Sequence, residues 1–196
     1  MLSLSRNSIT RIENLEGVAV TLEQLWLSYN SIASLSGLDR LKQLRVLCIA
    51  NNRIKKWEEV AKLEHNPLLS EIVLTGNPIM TEAKGGEIGY AKAVLNMLPR
   101  LHKLDGIPVA KWRQRIDEHH TAKLKGLFDR IDLDRGGTIS ANEMNKVLKN
   151  DEDMRRTLGV KEGGERELFA EMDEDGGGDI SWDEFLLFFS QRLNDF

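Results

Sequence analysis

One eight-residue phrase recurs four times between Leu2 and Ile79: Leu2-Ser3-Leu4-Ser5-Arg6-Asn7-Ser8-Ile9, Leu25-Trp26-Leu27-Ser28-Tyr29-Asn30-Ser31-Ile32, Leu47-Cys48-Ile49-Ala50-Asn51-Asn52-Arg53-Ile54 and Ile72-Val73-Leu74-Thr75-Gly76-Asn77-Pro78-Ile79. Its asparagines fall at 7, 30, 52 and 77, at offsets of 23, 22 and 25 residues. Such self-similarity constrains the fold more tightly than any local propensity. A unit this short cannot bury its own apolar face, so neighbouring units must stack. The pairs Leu25/Leu27, Leu47/Ile49 and Ile72/Leu74 alternate with other positions, the period of a short strand with one buried side. The asparagine that follows can satisfy backbone groups of adjacent coils where the chain turns out of the strand.

Period and pattern together are those of a leucine-rich repeat. Ile32, Leu35, Leu38, Leu41 and Leu44, then Ile54, Trp57, Val60 and Leu63, continue at about three-residue intervals and are expected to line the inner side of the convex face. After Ile79, a glycine-containing loop (Gly85, Gly86, Gly89), a helical pattern through Tyr90, Val94, Leu95 and Leu98, and the run Leu98-Pro99-Arg100-Leu101-His102-Lys103-Leu104-Asp105-Gly106 read as a cap on the last coil. At the other end the chain opens inside a repeat strand. Repeat arrays are normally capped, so the expectation is an incomplete chain, an alternative start, or a partner covering Leu2, Leu4 and Ile9.

Residues alternating with the buried positions face outward on the concave side. Stacked by register, Trp26, Cys48 and Val73 form a central row, with Val46 and Ala50 beside it. An exposed tryptophan among small apolar residues has the character of an interaction hot spot, the alternative being that Trp26 merely lies on its neighbours. Cys48 has no base beside it in sequence and reads as a packing residue rather than a nucleophile. Over residues 1–109 the stretches Arg11-Ile12-Glu13-Asn14-Leu15, Leu25 to Gly37, Leu44-Arg45-Val46-Leu47 and Leu98 to Val109 resemble the leucine-rich repeat light chains of axonemal outer-arm dynein. The resemblance implies attachment through the sheet face to the microtubule-binding region of an axonemal dynein heavy chain, with microtubules as a further possible partner. By the same resemblance, Trp26, Val46, Cys48 and Val73 are the candidate partner-binding residues. It implies an address in the cytoplasm, on the cytoskeleton of the ciliary or flagellar axoneme. The family's N-terminal helix and first repeats have no counterpart here, and the family lacks the acidic segment that follows.

That segment carries a second pattern. Asp132-Leu133-Asp134-Arg135-Gly136-Gly137-Thr138-Ile139-Ser140-Ala141-Asn142-Glu143 and Asp173-Glu174-Asp175-Gly176-Gly177-Gly178-Asp179-Ile180-Ser181-Trp182-Asp183-Glu184 fit the twelve-residue EF-hand calcium loop except at position five. Calcium seeks six to eight oxygens. Asp132, Asp134 and Glu143, with Asp173, Asp175 and Glu184, supply carboxylates at positions one, three and twelve. Thr138 and Asp179 offer backbone carbonyls, and Ser140 and Ser181 act directly or through water. Two Ca2+ sites are therefore expected. Gly136 and Gly177 at position five bring no side-chain oxygen, so sensor-like affinity of about 10⁻⁶ to 10⁻⁵ M follows. Helical patterns flank both loops. Met144, Met154 and Met172, with Trp182, Phe188 and Phe189, serve either as core or as a groove opened by calcium. His119 and His120 are adjacent rather than four apart and read as solvated.

The fold class is thus α+β: a leucine-rich repeat solenoid with its C-terminal cap over 1–109, a helical linker over 110–122 and an all-α EF-hand pair over 123–196. Charge follows the division. Residues 1–106 carry 13 Lys/Arg against 11 Asp/Glu, and residues 107–196 carry 14 against 20. That balance disfavours nucleic acid as a partner and marks the second half as the cation-binding one. No apolar run approaches the roughly 18 residues of a membrane span, and one cysteine excludes an internal disulfide framework. No phosphate-binding loop, nucleophile elbow or zinc-protease motif is present, so catalysis is not expected. The leading reading is a calcium-responsive axonemal dynein light chain. The alternatives are a cytosolic calcium-binding scaffold for another regulator, such as a phosphatase, and a constitutively tethered calcium buffer.

Overall fold

The computed structural model describes residues 1–192, with side chains to 190; the end of the expected second domain, 193–196, lies outside the described residues. The chain divides into two compact units, Met1–Asp117 and the residues from Glu118 onward.

The first unit is built on a six-stranded sheet in sequence order. Strands β1 (Leu2–Ser3), β2 (Gln24–Trp26), β3 (Val46–Cys48), β4 (Glu71–Val73) and β5 (Lys103–Leu104) run parallel, and β6 (Ile107–Pro108) turns back antiparallel on β5. The register aligns Leu2, Leu25, Leu47, Ile72 and Leu104 as one buried row and Ser3, Trp26, Cys48 and Val73 as the adjacent outward row. Leu25, Leu47, Ile72 and Leu104 are at most 1% exposed. The convex side holds α1 (Trp57–Ala61), short 3-10 turns at Glu16–Val18 and Lys62–His65, and α2 (Pro78–Thr81).

The asparagines form a ladder between coils. Asn52 Nδ2 donates to Leu27 O and Ile49 O (2.9 and 3.1 Å), while its Oδ1 accepts from Ile32 N at 2.9 Å. Asn30 and Asn77 repeat the arrangement, accepting from Ile9 N and Ile54 N. Asn7, in the first described coil, donates to Leu4 O and Ser5 O of its own coil. Asp105 takes the same part at the last coil, accepting from Leu74 N and Thr75 N through Oδ1 and from the buried Tyr90 hydroxyl through Oδ2 at 2.7 Å.

The cap extends further than the sequence reading drew it. Helix α3 (Gly86–Met97) packs Tyr90, Ala91 and Val94 into the core, and the first residues of α4 (Val109–Ile131) add Val109 and Trp112. Trp112, assigned above to a linker, is 1% exposed and donates Nε1–H to Leu104 O at 3.0 Å. A large aromatic with a satisfied polar tip belongs to a core. Ala50, expected on the concave surface, is instead buried.

The second unit surrounds a separate core of Leu124, Phe128, Ile131, Met144, Leu148, Met154, Leu158, Leu168, Met172, Phe185 and Phe189, with Ile139 and Ile180. Its elements are the end of α4, β7 (Thr138–Ser140), α5 (Ala141–Asn150), α6 (Glu152–Thr157), α7 (Glu165–Met172), β8 (Asp179–Ser181) and α8 (Trp182–Arg192). Strands β7 and β8 pair antiparallel through Ile139 and Ile180. Met144, Met154 and Met172 are core residues here, whereas Trp182 and Phe188 remain half-buried. No helix among the described residues is long and apolar enough to cross a membrane.

Candidate metal centre and docking face

Each twelve-residue loop leaves one helix and enters the next, so residues far apart in the loop converge. One carboxylate oxygen from each of Asp132, Asp134 and Glu143 lies within 4.8 Å of the other two, and Asp173, Asp175 and Glu184 form the same arrangement. Backbone amides aim the aspartates. Gly136 N–H donates to Asp132 Oδ1 (2.9 Å) and Asp134 Oδ1 (2.7 Å), and Gly137 N–H donates to Asp132 Oδ2 (3.0 Å). In the second loop Gly177 N–H reaches Asp175 Oδ1 at 2.7 Å and Gly178 N–H reaches Asp173 Oδ2 at 3.1 Å. Gly137 and Gly178 both sit at φ 87°, the left-handed turn at position six that an L side chain disfavours.

The glutamates at position twelve are held from the helix side. Ser140 is the N-cap of α5, and Glu143 Oε2 accepts from its backbone N–H (2.9 Å) and hydroxyl (2.7 Å) while Glu143 N–H donates back to Ser140 Oγ. Ser181 and Glu184 repeat this reciprocal pair. Partial burial works against ionisation of Glu143, but hydrogen bonds from Ser140, Asp134 and Leu133 outweigh it and hold the carboxyl below its usual range. Bonds from Ser181 N–H and hydroxyl do the same for Glu184. Thr138 and Asp179 stand at the first positions of β7 and β8, and Ser140 and Ser181 at the last.

The residues present fit a hard, oxygen-seeking cation. Each cluster offers three carboxylates and a hydroxyl and no soft ligand. Asp173 Oδ1 is buried and accepts no hydrogen bond, an arrangement that costs free energy unless a donor or a cation meets it.

On the first unit, the register sets Trp26, Cys48 and Val73 side by side, with Val46 between Gln24 and Glu71 in the neighbouring row. Trp26 is 41% exposed; Val46, Cys48 and Val73 are half-buried. Burial, reinforced by the charge of Glu71, pushes the Cys48 thiol above its ordinary value, so it is not an activated nucleophile. Glu71 pairs with Lys103 across the strands at 3.0 Å. Sequence reasoning missed Tyr29, which is 53% exposed and adopts φ 60°. Its signal was positional, since the residue before each ladder asparagine takes the left-handed conformation: Arg6, Tyr29, Asn51 and Gly76 all do.

Comparison with known proteins divides along the same line. A family model for the EF-hand domain pair matches residues 121–190, and one for leucine-rich repeats in two copies matches residues 20–64. Dynein axonemal light chain 1 of Chlamydomonas reinhardtii is 50% identical over 111 residues, covering 56% of this chain and 56% of that protein. The Homo sapiens protein of the same name is 41% identical over 117 residues, 60% of this chain and 61% of its own length. Leucine-rich repeat-containing protein 56 of Rattus norvegicus is 30% identical over 115 residues, 55% of this chain and 21% of that protein. Among solved structures, a chain of the Drosophila melanogaster SNF/U2A′ complex superposes with a TM-score of 0.50 at 27% identity, covering 59% of this chain and 65% of that one. The chain therefore combines leucine-rich repeats homologous to axonemal dynein light chains with an EF-hand domain pair, and it spans 56–61% of the length of the light chains it matches.

Proposed function

We propose that this chain is a non-catalytic, calcium-binding light chain of an axonemal dynein. Its repeat face docks on a dynein heavy chain, and its two EF-hand loops make the protein responsive to calcium. One observation carries the docking half: the outward row Trp26–Cys48–Val73 presents a 41% exposed tryptophan on the sheet within the region homologous to dynein light chains. Around Trp26 the row is apolar and nearly neutral. The ion pair Glu71–Lys103 stands at its rim, where charges steer more than they bind.

The calcium half rests on the two carboxylate clusters and on the orphaned Asp173 Oδ1. Asp132, Asp134, Ser140 and Glu143 would hold one ion and Asp173, Asp175, Ser181 and Glu184 the other, with backbone carbonyls of Thr138 and Asp179 completing the sets. Bound calcium supplies the positive charge that offsets three clustered carboxylates in each loop. The glutamates stand in the first turns of α5 and α8, so drawing them toward the aspartates re-aims those helices. Pairing of Ile139 with Ile180 joins the two loops mechanically.

Binding of the purified full chain to a purified axonemal dynein heavy chain, with 1 mM calcium or with chelator, tests the reading. Trp26→Arg is expected to weaken binding at least about tenfold, the scale of a hot-spot loss, and calcium is expected to change the affinity of the unaltered chain. Equal affinity for Trp26→Arg and the unaltered chain would overturn the docking face. Equal affinity with and without calcium would overturn the responsiveness.

A further inference from the structure

Each coil places a left-handed residue immediately before its ladder asparagine. Arg6 (φ 60°), Tyr29 (φ 60°), Asn51 (φ 54°) and Gly76 (φ 77°) precede the four ladder asparagines, and the N–H of each of the first three bonds to the following coil, at Ser28 O, Ala50 O and Thr75 O. The conformation is thus demanded by the stacking and not by the side chains. Asn51 and Gly76 meet it at little cost, whereas a tyrosine and an arginine do not. A bulky residue in this region is a backbone outlier, and outliers gather at functional positions.

What the two side chains do in that conformation is visible. The Arg6 guanidinium lies over the Tyr29 ring, 5.1 Å from its centroid, and both residues are exposed. Among the described residues no carboxylate pairs with Arg6. Tyr29 follows Trp26 by three residues on the same coil, just past the end of β2. Its surroundings carry one sign of charge. The segments leaving the strands, residues 5–12, 28–35, 50–57 and 75–81, contain Arg6, Arg11, Arg53, Lys55 and Lys56 and no aspartate or glutamate. All five cations are exposed, and among the described residues only Lys55 is ion-paired, to Glu82. By contrast the strand starts are mixed, with Glu23, Arg45, Glu71 and Lys103.

We propose that the stacked Arg6–Tyr29 pair extends the docking face beyond the sheet and receives a carboxylate side chain of the protein partner. The proposal rests on the docking reading above and names the chemistry at its edge. A guanidinium over an aromatic face, with no carboxylate of its own chain among the described residues, retains N–H donors for a bidentate carboxylate of a partner. Tyr and Arg are also the residue types that dominate binding energy at interfaces.

The test uses the full chain and a purified axonemal dynein heavy chain, with affinities at 50 and 250 mM NaCl and melting temperatures alongside. Tyr29→Asn suits the backbone better than tyrosine, so it should melt no lower than the unaltered chain while binding about tenfold more weakly. Arg6→Gln should weaken binding about threefold to tenfold at 50 mM NaCl, with the difference shrinking at 250 mM as screening grows. Tyr29→Phe, which keeps the ring, should bind like the parent. Affinities of Tyr29→Asn and Arg6→Gln within twofold of the parent, while Trp26→Arg is impaired, would overturn the stack and leave the docking face standing. A lowered melting temperature for Tyr29→Asn would overturn it too, because the ring would then be structural. No heavy-chain binding by the parent would overturn both readings together.

Discussion

Asn52 illustrates what a single residue contributes to a stacked array. It is 7% exposed, and its amide bridges backbone groups of two coils, donating to Leu27, Ile49 and Ala50 carbonyls and accepting from Ile32 N–H. Asn52→Leu strands those groups and should lower unfolding free energy in urea by about 2–4 kcal/mol, since each buried unsatisfied group costs about 1–3 kcal/mol. Asn7→Leu, on the exposed edge coil, should cost less than about 0.5 kcal/mol by the same titration. Glu59 offers a pH-dependent counterpart. Burial opposes its ionisation, but hydrogen bonds from Lys62, Leu35 N–H and Ser34 prevail and hold it below its ordinary 4.5. A depressed folded value stabilises the folded state above the unfolded value and loses that stabilisation as pH falls through the folded one. Glu59→Gln should therefore melt lower than the parent near pH 7, and the difference should shrink as pH falls below the ordinary 4.5 and through the lower folded value. The ladder asparagines and the loop carboxylates were legible in the sequence because each repeats at fixed spacing. Tyr29 shares that spacing, but its positive φ depends on how coils stack, so only the structure marks the position before each asparagine as left-handed.

Among the elements, the strands and the EF-hand loops could be read ahead of the structure, whereas the start of α4 could not. A helical run from Val109 has the same periodicity whether its first turn closes a core or crosses solvent, and only the position of Leu104 O under Trp112 Nε1 decides it. Arg115 then lies over the Trp112 ring, 4.6 Å from its centroid, and pairs with Glu87 on α3. Trp112→Ala removes a fully buried aromatic and should destabilise the repeat unit by about 3–5 kcal/mol, measured by chemical denaturation. Each loop likewise has an element-level property, set at position five. A Cβ at Gly136 or Gly177 would come within 2.9 or 2.8 Å of an aspartate oxygen, the movable end of a side chain. Gly136→Asp adds a fourth carboxylate and is expected to tighten calcium binding at that loop by about tenfold, because affinity follows the number of charged ligands. Weaker binding in calorimetry would show that the glycine is needed for the turn itself.

At the scale of the whole molecule, the chain carries two units with different chemistry: a stacked apolar array that exposes Trp26, and a helical unit with two carboxylate clusters. Both carboxylate clusters lie in the second unit, so the proposed calcium binding can be measured directly. Calorimetric titration of the full chain with calcium, repeated for Glu143→Gln, Glu184→Gln and the double variant, tests the central claim most directly. The account expects two ions bound with dissociation constants of about 10⁻⁶ to 10⁻⁵ M, one in each single variant and none in the double variant. Absence of binding heat up to millimolar calcium, or a stoichiometry unchanged by both substitutions, would contradict it.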